Sequence, residues 1–482
     1  MYGCYTVPEN ERKRGTLCMS KRVVIIGAGP AGIFSAYNLI TSDPNIDVTV
    51  IDKGNDIYSR HCPMREKENQ PCVHCKTCGI MHGFGGAGTF SDCKLSLTAK
   101  GVGGNIIDYV GEEKAQKLIK DVEVIYRYFD VDADKREVVG TAENKEITKI
   151  KEIAKKDSIT YTECPTKHLG TDGTLKVMKY MYDYLCNAGV KFLFNTECTN
   201  VKKTETEFSV YTNKNILLIG DYVILAPGRS GNSWVAQVVN GLGIKTKSNK
   251  VDIGVRLETS YEIAKYLTDN LYDVKLSYID PYTGDKVRSF CTNPKGYVSE
   301  EHYGFNAIAN GHSFANKKSE NTNFAVLVTL NDDRLNAEYI KSYMNIANNY
   351  SNGKLILQNC TDFMKDRPTK SVQDYQTNTV PTLSTAMPGD ITAILPSRVC
   401  AMIKMFLQKL NRNLAKNIIW GDTWLYGIEA KFYSDLIEVD NNMETNVTGL
   451  YVIGDGSGTT RGITQSASEG LVASESILNK PD

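Results

Sequence analysis

Apolar and polar positions follow two different periods along this chain, and elements begin and end where the period changes. A continuous apolar run, VVII, stops at a glycine turn within VVIIGAGPAG, residues 23–32. Helical spacing follows over residues 29–40, and a second apolar run, IDVTVID, closes at Asp52. Residues 112–130 (EEKAQKLIKDVEVIYRYFD) and 174–188 repeat apolar side chains every three or four positions and predict two amphipathic helices. Runs at 190–195, 208–211 and 216–219 predict short strands, as does IGDYVILAPG at 219–228. From 234 to 417, β-rich stretches such as DIGVRLE and NFAVLVTL accompany a helix near 398–414. A strand in GLYVIGDGSG, residues 449–458, and a helix to about residue 478 complete the pattern. The alternation predicts an α/β fold: a discontinuous Rossmann-like nucleotide domain with an inserted α+β substrate domain. The spacing places the nucleotide domain at 19–100, 168–233 and 418–482, and the substrate or cap domain at 101–167 and 234–417. Residues 1–18 have no periodicity and read as an extension ahead of Met19.

The glycine spacing gives the first turn its chemistry. A tight turn requires Gly27, close approach of a pyrophosphate requires Gly29, and helix–strand packing requires Gly32, while Pro30 and Ala31 begin the helix. Asp52, with Lys53 after it, falls where a carboxylate accepts ribose hydroxyls. An NAD domain needs nothing from the far end of a chain. Here a second strand–turn–helix, with Gly454, Asp455, Gly462 and Ile463, stands more than 400 residues later. FAD is long enough to need it: Asp455 suits a ribityl hydroxyl, and the N–H groups at Gly462 and Ile463 suit the flavin N1/C2=O edge. Arg461 could add charge there or be a solvated residue. Ala226 and Gly228 end a third strand before a small-residue turn. Together the three segments resemble the glutathione-reductase-type FAD fold. No second GxGxxG follows a strand, and no C-x4-C disulfide motif follows the first unit, which points away from a built-in NAD(P)H domain and from a disulfide reductase.

Composition narrows the partners. Lys+Arg and Asp+Glu both number 56, so no net field attracts nucleic acid or an anionic membrane. No apolar run is long enough to span a bilayer, and no signal peptide is evident, so the expectation is a cytoplasmic protein. The 13 cysteines favour thiols or metal ligands over a disulfide framework. The N-x-[ST] triplets at Asn349, Asn359 and Asn446 are then chance matches.

Cys72, Cys75 and Cys78 are spaced C-x2-C-x2-C, with Cys62 ten residues before and His82 four residues after. Such spacing suits an iron–sulfur cluster or zinc, and equally suits plain thiols. His61 and His74 read as loop residues. The segment runs into GFGGAG, residues 83–88, where Gly86, Ala87 and Gly88 allow the backbone to approach a ligand, so the cysteines are expected near the flavin. The run GFGGAGTFSDCKL, with CPTKHLGT (164–171), APGRSG (226–231), DIGVRLE (252–258) and RSFCTNPKGYV (288–298), resembles the uncharacterised FAD-dependent dehydrogenases, also described as NAD(P)/FAD-dependent oxidoreductases. The resemblance covers nearly all of residues 21–480 and implies FAD and redox chemistry, without a substrate. Two positions depart from that family's pattern. Cys93 stands where glycine is usual, on what reads as the flavin side of the loop, and GDGSGTTRGI stands where GEGxGxxGGI is usual.

Candidate catalytic residues are His168, Arg256, Arg288 and Cys291, with Lys295 and His312 in similar Gly-, Pro- or polar-punctuated segments. Arginines suit a carboxylate or enolate-like oxygen, and histidines suit proton transfer near neutral pH, although each can also be structural. The expected activity is hydride transfer between flavin N5 and a small-molecule substrate between the domains, with NAD(P)H as a transient reductant or a redox partner protein as donor. Alternatives are a flavin/iron–sulfur electron-transfer protein and a flavin monooxygenase. A nucleic-acid-modifying flavoprotein is disfavoured by the neutral charge.

Overall fold

The computed structural model describes residues 20–63, 73, 75–90, 93–141, 144–247, 249–271, 273–303, 306–312, 318–332, 334–431 and 435–481. The first extension and Cys72 lie outside the described residues. Five short apolar strands form one parallel sheet in the order Leu450–Val452, Tyr222–Leu225, Arg22–Ile26, Asp47–Ile51, Lys191–Leu193. Residues of Arg22–Ile26 alternate between two apolar cores, one on each face, which is why the run is continuously hydrophobic.

On one face, the helix Pro30–Ser42 packs against the C-terminal helix Ile463–Asn479. Their backbones approach at Gly470, where a Cβ would stand 2.3 Å from Ala31 O, and Ser35 Oγ donates to Gly470 O at 3.1 Å. The helices Glu112–Phe129 and Thr171–Asn187 join that core. The other face is covered by the antiparallel strands Cys198–Lys203, Phe208–Thr212 and Leu217–Gly220 and by the helix Asn232–Gly241.

A second, eight-stranded sheet is built around Asp252–Ser260, flanked by Asn321–Thr329 and Thr423–Lys431. Ile253, Val255 and Leu257 point into a core with the helix Ser397–Asn413, while Asp252, Arg256 and Glu258 lie on the opposite face. The antiparallel hairpin Tyr297–Tyr303/Asn306–His312 lies against that polar face, where a Cβ on Gly311 would stand 2.1 Å from Asn323 Oδ1.

These memberships move the expected boundaries. Thr423–Lys431 lies in the middle of the eight-stranded sheet, so residues 418–431 belong to the inserted domain. The helix Glu112–Phe129 buries Leu118, Ile119, Val122 and Tyr126 in the nucleotide-domain core, whereas Lys145–Lys156 and Thr160–Tyr161 belong to the inserted one. Asn232–Gly241 likewise stays with the nucleotide domain. Among the described residues no helix is long and apolar enough to cross a membrane.

Candidate cofactor site

The strand Arg22–Ile26 ends at Gly27, where φ is +112° and a Cβ would stand 2.1 Å from Ala226 O. Gly32 is equally crowded, its Cβ meeting Gly27 O at 2.0 Å. Gly29 differs. It caps the helix Pro30–Ser42 with no side-chain hydrogen bond, and a Cβ on it would find nothing within 4 Å. Open space before an uncapped helix N-terminus fits a pyrophosphate, since free N–H groups and the positive dipole end face it. Pro30, the first helical residue, gives up no hydrogen bond there. Ala31 packs against the C-terminal turn, its Cβ 3.2 Å from where a Cβ on Gly454 would be.

Asp52 is committed more heavily than its spacing implies. Oδ2 accepts from Ala28 N–H at 2.9 Å, and Oδ1 accepts from Gly54 at 2.7 Å and Gly83 at 2.8 Å. A carboxylate offers about four acceptor directions, so one remains for a ribose hydroxyl. Asp52 therefore ties the glycine turn to the loop at residue 83. Lys53 Nζ faces Glu197 at 4.0 Å.

That loop closes over the turn. Gly85 N–H donates to Ala28 O at 2.8 Å, and a Cβ on Gly86 would lie 3.0 Å from Gly29 Cα. Ala87 is exposed on the short turn Gly86–Phe90, and Gly88 faces Ile463, whose Cδ1 would lie 3.0 Å from a Cβ there. The organiser is Arg60, which sequence reasoning missed. Its buried guanidinium donates to Gly79 O at 3.0 Å, Ile80 O at 2.8 Å, Phe84 O at 2.5 Å and Thr89 Oγ1 at 3.1 Å. Burial lowers its pKa to about 10, and the Asp52 charge opposes that shift.

At the C-terminal turn, Ala226 N–H donates to Ile26 O at 2.8 Å, and Gly228 O lies 3.2 Å from where a Cβ on Gly456 would be. Asp455 accepts from Thr460 Oγ1 at 3.1 Å and Ser466 Oγ at 3.2 Å and pairs with Arg229 at 3.3 Å. Gly462 caps Ile463–Asn479 with no side-chain bond. Beside it Gln465 Nε2 donates to Ala99 O at 3.2 Å while Oε1 accepts from Ile106 N–H at 3.2 Å, clasping residues 99–106 over the turn. Arg461 N–H donates to Gly103 O at 2.8 Å, and its guanidinium reaches Asn249 Oδ1 at 3.4 Å, at the base of the inserted domain. The fully buried Glu469 accepts from Gly454 N–H at 2.7 Å, and burial pushes its carboxyl up to about 8. Three segments far apart in sequence thus meet beside two helix N-termini without side-chain caps, a donor set that suits FAD.

The cysteine segment lies against Gly54, where a Cβ would be 2.3 Å from Gly83 N, so it adjoins the Asp52 end of the site. Gly79 packs on His61 O, bringing the chain at Cys78 beside the chain at Cys62; Cys75 is exposed. Among the described residues no group of three or more His, Cys, Asp or Glu is placed to hold a metal. His82 does not take up a ligand position. Its Nδ1 lies 3.2 Å from Cys78 O and its Nε2 2.9 Å from Ser230 Oγ. Cys93 is buried in the nucleotide-domain core rather than turned to the cofactor, and its φ of +45° explains why glycine suits that position.

The catalytic candidates separate. Arg256 is 0% exposed and forms a two-pronged pair with Glu429, Nε to Oε2 and Nη2 to Oε1 both at 2.7 Å. It also donates to Cys291 O at 2.9 Å, so it is a structural group closed to substrate. Cys291 has a φ of +50°, with its carbonyl also held by Asn293 Nδ2 at 3.0 Å. Arg288 pairs with Asp252 and lies 4.8 Å from the Phe290 ring. His168 is elsewhere, in a small sheet opposite Lys94. Lys295 Nζ lies 4.3 Å from the Tyr261 ring, and His312 stacks on Tyr297 with its pKa lowered by burial.

Residues 21–164 match the family described as pyridine nucleotide-disulphide oxidoreductase, and residues 250–432 match the family described as FAD-dependent protein, C-terminal domain-like. Both matches are to domains of FAD-dependent or pyridine nucleotide-linked oxidoreductases, which supports that coarse class for the chain. A Clostridium beijerinckii protein, described only as uncharacterized, is 25% identical over 497 residues, covering 98% of this chain and 83% of its own. Among solved structures, glycine oxidase from Geobacillus kaustophilus is 10% identical with a TM-score of 0.36, covering 96% of both chains. L-amino acid deaminase from Proteus vulgaris is 12% identical with a TM-score of 0.36, covering 98% of this chain and 96% of that one.

Proposed function

We propose that this protein is an FAD-dependent dehydrogenase or reductase acting on a small molecule held between the nucleotide domain and the inserted domain. The observation that carries the reading is the meeting of the Gly29, Gly86–Gly88 and Gly454–Ile463 segments around one space. FAD, when bound, supplies hydride exchange at its N5. The chain's own residues supply the rest. The Gly29 helix end holds the pyrophosphate, and Asp52 keeps one acceptor direction for the ribose. Asp455 orients the ribityl chain, and the backbone at Gly462 and Ile463 presents a positive helix end to the N1 edge. Residues 99–106, held by Gln465, exclude water from that edge.

NAD(P)H is the proposed transient reductant. A second reading, electron delivery by a partner protein through an iron–sulfur cluster at Cys62, Cys72, Cys75 and Cys78, is favoured by one contact, the packing of Gly79 on His61 that draws Cys62 and Cys78 together. Cys62, Cys75 and Cys78 form no disulfide, which suits a reducing, cytoplasmic setting. The test is an absorbance spectrum with iron analysis of anaerobically purified protein, followed by identification of the nucleotide released on heating. FAD without iron supports the first reading, FAD with iron and sulfide the second, and FMN or no flavin overturns both.

A further inference from the structure

Two carboxylates border the turn at Gly29. Asp52 accepts from Ala28 N–H at 2.9 Å, and Asp455 follows Gly454, which packs on Ala31. The diphosphate of a dinucleotide brings two further negative charges, so like charges would crowd one small space. The nearby cations are mostly turned elsewhere. Arg60 is consumed by loop carbonyls, and Lys53 faces Glu197. Among the described residues, Arg461 reaches Asn249, while Arg229 faces Asp455. It follows Gly228, whose φ is +67° and beside which a Cβ would find nothing within 4 Å. Its side chain is 66% exposed, yet it reaches across to Asp455 at 3.3 Å, where the carboxylate is 25% exposed. Its turn is anchored on both sides, by His82 Nε2 on Ser230 Oγ at 2.9 Å and by the contact of Gly456 with Gly228 O.

We propose that Arg229 is a positioning residue for the dinucleotide: it neutralises Asp455 so that the carboxylate can order the ribityl chain without repelling the diphosphate. This rests on the FAD reading above. It assigns the guanidinium to the carboxylate, not to the phosphates, and so makes a separable prediction.

The test is a double-mutant cycle on the full chain, stripped of FAD and titrated back by flavin fluorescence. At about 20 mM salt, R229Q weakens FAD binding roughly tenfold, and at about 0.5 M salt the loss shrinks to less than about threefold as screening replaces the guanidinium. In a D455N background, R229Q costs less than about threefold at either salt, because no charge is left to neutralise. R229K, which keeps the charge, stays within about threefold of the parent. An equal loss in both backgrounds, or none in either, overturns the proposal. A turn-packing role would show neither the salt dependence nor the rescue by D455N. A parent protein that takes up no FAD defeats the cofactor reading instead.

Discussion

Replacing Arg256 with methionine should damage the fold and leave cofactor binding alone. Arg256 and Glu429 are both 0% exposed and share two bonds of 2.7 Å. R256M removes both, and it also strips a donor from Cys291 O. Breaking a buried pair by deleting one partner costs about 3–5 kcal/mol, mostly because the other charge is left enclosed. Lys431 Nζ, 3.2 Å from Glu429, partly compensates, which argues for the lower end, about 3 kcal/mol. For a domain of this size, about 2–4 °C of Tm accompanies each kcal/mol, so a fall of about 6–12 °C is expected. Circular dichroism melting at one fixed scan rate reads it. R256M/E429L, which removes both charges, should lose clearly less than the sum of the two single variants. If R256M melts within about 1 °C of the parent and only turnover falls, the guanidinium is available to substrate and the enclosed-pair reasoning is wrong.

Gly29→Leu should abolish FAD retention while leaving the melting of the inserted domain unchanged, because its side chain would fill the open space before the helix. Retained yellow colour at parental stoichiometry would contradict this. Glu469 should give stability a particular pH slope. Its carboxyl is pushed up to about 8 from an ordinary value of 4.5, so the folded state holds a proton that the unfolded state has released. Its contribution is fully present below about pH 4.5 and is lost as pH rises through about 8. E469Q should flatten that component of a Tm–pH profile; an unchanged profile would mean the carboxyl is ionised in the folded protein.

Two glycine positions were legible because each is demanded by a steric fact that no other residue meets: Gly27 and Gly32 allow backbone contacts a Cβ would forbid. The helices at 112–130 and 398–414 were legible from period alone, and appear as Glu112–Phe129 and Ser397–Asn413. Arg60 was not. It sits in a loop without periodicity, and its partners are carbonyls of residues 79–84, which carry no sequence signature. Arg256 stays open between a site role and a structural one in the sequence for a related reason. Arg256 shares a strand face with Asp252 and Glu258, and whether that face meets water or a hairpin depends on the strands Tyr297–Tyr303 and Asn306–His312. Thr423–Lys431 could not be assigned to a domain by pattern, since nothing in TWLYGIEAK names the strand it pairs with.

The connection between the domains follows from where the chain crosses. The outgoing strand Thr246–Lys247 and the returning strand Leu436–Ile437 pair antiparallel, with Lys247 and Glu438 adding an ion pair at 3.0 Å. A long insertion whose two ends meet in one ribbon leaves the parent sheet uninterrupted, which is how residues 250–431 can be added without disturbing the order of the five parallel strands. The ribbon also aims the insertion. Two residues beyond it, Asn249 Nδ2 donates to Gly458 O at 2.9 Å and its Oδ1 accepts from Arg461. Asp252, three residues further on, begins the central strand of the inserted sheet. The turn that closes the cofactor site is therefore also the seat of the inserted domain. Asn249, Gly458 and Arg461 thus tie the base of the inserted sheet to the turn before Ile463–Asn479, beside the second crossing that carries Lys145–Lys156 and Thr160–Tyr161 into the inserted domain.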